Sequence, residues 1–187
     1  MIKPVTYAEW VECFEQLKAG TNDEEIILKL EQGTIEWSKG VAERLTQHLF
    51  DTIESRLKRT SDLLQKELDG SYGNETMIVK AVLSARKRLA LLKRVADLPA
   101  FPDNVRGTML KVLSDYAKNT QESLEKSALS DRTGRLRSLF RNNNLTQFAK
   151  VENVFGNSVS MSNEMNRDAK NPQVPGVKSS RRRVILP

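Results

Sequence analysis

Residues 74–98 read NETMIVKAVLSARKRLALLKRVADL, and within them Ile78, Val82, Ala85, Leu89, Leu92 and Ala96 recur in alternating steps of four and three. That spacing lines six apolar side chains along one face of an α-helix, in the register of a helix packed nearly parallel to its neighbours. A strand would need a period of two and runs rich in Val, Ile and Thr, and the chain has no such run. Asn74 supplies a start. A helix with one apolar face must be covered by other elements, so the remaining sequence has to provide them.

Upstream, a second stripe runs through Val41, Leu45, Leu49, Ile53, Leu57, Leu64 and Leu68 and ends at Asp69-Gly70. It predicts one long helix over about 37–68, roughly 45 Å in length. Before it lies a short helical hairpin over 6–33. Thr6 and Glu9 form a capping box, Tyr7, Trp10, Val11, Phe14 and Leu17 share a face, and Ala19-Gly20 supplies the stop. Asn22 opens the second arm, with Asp23, Glu24 and Glu25 in the first turn, where the helix dipole favours acids, and Ile26, Ile27 and Leu30 as its apolar side.

Downstream, Pro99-Ala100-Phe101-Pro102 breaks the chain, because proline lacks a donor and restricts the residue before it. Asp103 is then expected to cap a helix over 103–129. Val105, Met109, Val112 and Tyr116 give its first half an apolar face, but Asn119, Thr120, Ser123 and Ser127 dilute the second half. That end is expected to fray or to wait for a partner. A short basic helix over 132–141, with Leu136, Leu139 and Phe140, stops at Asn142-Asn143-Asn144. The fold class is all-α: a bundle of about five helices over 1–144, followed by a flexible basic tail over 145–187 that is too poor in apolar residues to offset its ordering entropy. Leu145, Phe148, Val151 and Phe155 could form a short helix on a partner.

With 187 residues, the chain is long enough for one core and short for two. Its net charge of +6 is unevenly placed. Residues 1–130 hold 19 Lys and Arg against 20 Asp and Glu, residues 131–144 four against one, and residues 145–187 seven against three. The whole positive excess therefore lies in the last 57 residues. Met1-Ile2-Lys3-Pro4 opens no apolar stretch of the kind a signal peptide needs, and no apolar run approaches ~20 residues. A single cysteine, Cys13, cannot form an internal disulfide, so a reducing, cytoplasmic setting is expected.

Chemistry-bearing motifs are thin. The lone His48, beside Leu45 and Leu49, has no cysteine pair or second histidine to complete a zinc site, and it reads as a structural residue. A Cys13–His48 nucleophile pair would need the two to meet in space, and no cation flanks Cys13 locally. Gly70-Ser71-Tyr72-Gly73 lacks the Lys-Ser/Thr of a phosphate loop, and pairs such as Glu54 with Lys58 read as solvated helix surface. No catalytic residue, metal ligand or cofactor is assigned, and an enzyme is not expected. A helix-turn-helix built on Gly33-Thr34 would present Ile35, Glu36 and Trp37 to DNA, a poor fit for a reading helix.

Cations carry what remains. Lys80, Lys87 and Arg94 recur every seven residues opposite the 78–96 seam, a ridge that could track phosphates or be balanced by acids such as Glu43, Glu54 and Asp62 on neighbouring helices. Arg132, Arg135, Arg137 and Arg141 form one cluster, and Lys178 with Arg181, Arg182 and Arg183 a second. The expected function is a non-enzymatic interaction protein whose basic tail docks on an acidic protein partner. The alternative is nucleic-acid binding by the ridge and the tail arginines without strong base specificity. The long stripe of 41–68 also suits a homodimer.

Overall fold

Among the described residues six α-helices form as the apolar periodicity requires, in the order α1 (Tyr7–Ala19), α2 (Asp23–Glu31), α3 (Lys39–Asp69), α4 (Glu75–Ala96), α5 (Asp103–Ser127) and α6 (Arg135–Asn142). A 3-10 turn, Ala128–Ser130, closes α5, and a 3-10 segment, Leu145–Lys150, follows α6. The structure, a computed structural model, describes residues 3–20, 22–35 and 39–150, with the side chains of residues 39 and 150 excepted. Among the described residues there is no strand, and no helix is long and apolar enough to cross a membrane.

The central element is α4. It touches α2, α3, α5, α6 and the 3-10 segment, and every member of its seam from Ile78 to Ala96 is buried. Ala81, Ala90 and Val95 are buried as well, so the covered arc is wider than one seam. Small residues on that arc let neighbouring helices approach closely. Leu45, Leu49, Ile53, Leu57 and Leu64 of α3 are buried too, in one core with α1 and α4. Val41 and Leu68, at the two ends of the stripe, are half-buried.

Local signals explain the ends. Thr6 and Glu9 make the reciprocal capping box, and Gly20 closes α1 in the left-handed region at φ 74°. Asn74 accepts from the amides of Thr76 and Met77. Trp10 is fully buried, tilted against Phe14 and edge-to-face with Phe101 with both ring centroids 5.8 Å away, and its Nε1 donates to the Thr34 carbonyl at 3.2 Å. Gly33 is required beside it: a Cβ there would lie 2.5 Å from the Trp10 ring and 2.9 Å from Pro4.

Several expectations need correction. Asn22 holds the N-cap position of α2 as expected, but in a left-handed conformation at φ 52° and with no side-chain bond to the helix. Asp103 lies inside α5 rather than capping it. Pro102 holds the N-cap position, its carbonyl receiving the amides of Val105 and Arg106, while Asp103 pairs with the Arg106 guanidinium. The second half of α5 stays helical to Ser127, with Gln121 and Leu124 buried where α6 and the 3-10 segment pack, while Asn119, Ser123 and Ser127 remain exposed. The bundle also runs past Asn144: Leu145 and Phe148 are buried against α4 and α5, which displaces the expected start of the tail by at least six residues. They fill the chain's own core, not a partner's. The reading of the remaining tail falls on residues 151–187, outside the described residues.

Candidate functional site

The cationic residues singled out above separate into engaged and outward-facing groups. On α4, Arg94 grips the Glu31 carboxylate of α2 through Nε and Nη2 at 2.8 and 2.9 Å, a bidentate pair. Arg88, one turn and a half earlier, pairs with Glu67 of α3 and donates to the Ser84 hydroxyl. Arg86 is half-buried beneath the 3-10 segment and donates to the Gln147 carbonyl at 3.4 Å. Its burial pushes the guanidinium below its ordinary value. Only Lys80 and Lys87 of the ridge stand on the exposed side of α4. Glu31, an acid the sequence reading did not name, engages the ridge at Arg94.

The same pattern holds elsewhere in the body. Arg56 of α3, only 8% exposed, pairs with Asp23, Arg59 donates to the Ala19 carbonyl at the end of α1, and Arg106 bridges Asp97 and Asp103. Each cation thereby ties two parts of the chain together.

Around α6 the arrangement is different. Gly134, at φ 66°, and the Asp131 carboxylate shape its start: Asp131 accepts from the Leu136 amide at 3.0 Å and from the amide and hydroxyl of Thr133. These donors, the Leu136 amide foremost, hold the Asp131 carboxyl below its ordinary value. The apolar side of α6 turns inward, with Phe140 buried and Leu136 and Leu139 half-buried. Arg132, Arg135 and Arg137 are exposed, and none of the three is in an ion pair among the described residues. Arg141 reaches back to Glu125 of α5 at 3.3 Å. The Glu125 carboxyl is held down first by the Gln121 amide and then by Arg141, with Arg137 adding to the field. Three arginines thus share one short amphipathic element and its approach, while Arg181, Arg182 and Arg183 lie outside the described residues.

Gln121 was missed. It is 5% exposed, accepts the Leu145 amide at 2.9 Å and donates to the Phe140 carbonyl at 3.2 Å, so one side chain ties α5 to α6 and to the 3-10 segment. Its only sequence signal was a polar residue at the i−3 position from Leu124, within a stretch already rich in hydroxyls and amides.

His48 Nε2 lies 3.1 Å from the Tyr7 hydroxyl. Burial pushes the Cys13 thiol up, opposite to what a nucleophile needs. Among the described residues no three His, Cys, Asp or Glu side chains are grouped to hold a metal ion. No family model, curated protein or solved structure matches the chain.

Proposed function

We propose that this chain is a non-catalytic helical interaction protein whose cationic C-terminal part, beginning with Arg132, Arg135 and Arg137 and continuing to Arg181, Arg182 and Arg183, docks on an acidic protein partner in a reducing, cytoplasmic setting. One observation carries the reading. Arg56, Arg88, Arg94 and Arg106 each pair with a carboxylate within the bundle, whereas the three arginines leading into and along α6 are exposed and make no ion pair among the described residues. Exposed cations on a packed helix have already lost backbone freedom, so docking them costs less ordering entropy than docking a loose chain.

A second reading, nucleic acid held by phosphate contacts alone, is supported by the exposure of Lys80 and Lys87. It loses Arg94, whose fork is occupied by Glu31. Titrating the full chain with poly-glutamate and with a short duplex DNA at two salt concentrations distinguishes the two. The expected result is that poly-glutamate binds, that binding weakens with salt, and that the Arg132→Glu, Arg135→Glu, Arg137→Glu variant loses at least about tenfold in affinity, ~1.4 kcal/mol. Preference for the duplex, lost with Lys80→Glu and Lys87→Glu, would favour the second reading. No binding to either overturns both.

A further inference from the structure

Between Glu125 and Glu152 the sequence holds one acid, Asp131, against Lys126, Arg132, Arg135, Arg137, Arg141 and Lys150. By charge alone its carboxylate would pair with a neighbouring guanidinium and cancel part of the cationic surface. Among the described residues it makes no ion pair. Both of its oxygens turn to the local chain instead. Oδ1 accepts the Thr133 amide at 3.0 Å and the Thr133 hydroxyl at 2.8 Å, and Oδ2 accepts the Leu136 amide at 3.0 Å. The Thr133 hydroxyl oxygen in turn accepts the Arg135 amide at 3.3 Å.

Asp131 therefore reaches the amides of the first two residues of α6, one directly and one through Thr133. The first amides of a helix find no carbonyl within it, and a side chain at the N-cap usually serves them. The N-cap of α6 is Gly134, at φ 66°, which has no side chain to offer. Capping has moved three residues upstream, to Asp131. A helix of eight residues does not hold itself by propagation alone. Phe140 anchors its far half in the core. Asp131 holds the near end, where Arg135 opens the helix and Arg132 lies in the turn before it.

We propose that Asp131 is the positioning residue of the arginine site: it fixes Arg132 and Arg135 in the arrangement an acidic partner meets, while the donors it serves keep its carboxylate from neutralising them. This role rests on the docking proposed above, and it predicts the opposite of simple electrostatics. Removing a negative charge from a cationic surface strengthens its hold on a polyanion. Freeing the turn weakens that hold, because the backbone must be ordered again on docking.

Poly-glutamate affinity of the full chain is measured for Asp131→Ala, Asp131→Asn and Thr133→Ala, beside the Arg132→Glu, Arg135→Glu, Arg137→Glu variant. Asp131→Ala and Asp131→Asn change the charge equally, but Asn keeps a carbonyl oxygen for the Thr133 amide. Asp131→Ala is expected to lose at least about fivefold in affinity despite its added positive charge, and Asp131→Asn less than that. Thr133→Ala, which changes no charge, is expected to lose at least about twofold. Amide exchange should quicken at Leu136 in Asp131→Ala but not at Leu89, buried in α4. If Leu89 also quickens, Asp131→Asn and Thr133→Ala carry the test. An Asp131→Ala affinity equal to or above that of the unchanged chain overturns the proposal, as does equal binding by Asp131→Ala and Asp131→Asn. A triple arginine variant that binds as well as the unchanged chain removes the docking itself. If that variant is weak and Asp131→Ala is not, the positioning role alone falls.

Discussion

Gln121 shows how one buried amide can extend a fold. Its carbonyl oxygen takes the Leu145 amide and its nitrogen serves the Phe140 carbonyl and Glu125, so the side chain joins three segments that are apart in sequence. Replacing it with Leu keeps the volume and removes the partners, leaving a buried N–H without an acceptor, at a cost of about 1 to 3 kcal/mol. Urea unfolding of Gln121→Leu is expected to show that loss, together with faster exchange of the Leu145 amide. A midpoint equal to that of the unchanged chain would contradict the assigned role. Read in sequence, the same residue looked like part of a diluted, fraying helix end. Burial of a polar residue depends on what packs over it, and the covering elements, α6 and Leu145–Lys150, lie 14 or more residues further on.

At the scale of the element, helix existence was legible wherever one apolar face repeats, as in α3 and α4. Caps were legible where the bond is local: Thr6 with Glu9, Gly20, and Asn74. The cap of α5 was not legible at Asp103, because Pro102 before it already supplies the extended N-cap conformation. The start of α6 depends on Asp131, whose carboxyl is held below the ordinary aspartate range near ~3.9 by the Leu136 amide and the Thr133 donors. A depressed folded-state value means that the contribution is full above the unfolded-state value and is lost as pH falls through the lower folded one. The Leu136 amide is therefore expected to lose exchange protection on acidification below about pH 4, and in Asp131→Ala at neutral pH. Protection that is flat through this range would show that the carboxylate does not hold the turn.

For the whole molecule, the separation of a near-neutral body from a cationic C-terminal part was readable by counting. Which cations stay outward was not. Lys80, Lys87 and Arg94 share one ridge by spacing, yet α2 lies along α4 and its Glu31 takes Arg94, a neighbour relation that only the tertiary fold creates. Arg132 precedes α6, and Arg135 and Arg137 stay exposed on it while Phe140 turns into the core. Internal and outward arginines should consequently fail in different ways. Unfolding midpoint and poly-glutamate affinity, measured on the same samples of Arg56→Ala and of Arg132→Glu, Arg135→Glu, Arg137→Glu, test this division most directly. Arg56→Ala strands Asp23 half-buried and is expected to cost about 3 kcal/mol of stability while the folded protein still binds. The triple variant is expected to keep its midpoint and lose at least about tenfold in affinity. A triple variant that binds as well as the unchanged chain, or that unfolds as readily as Arg56→Ala, would contradict the account.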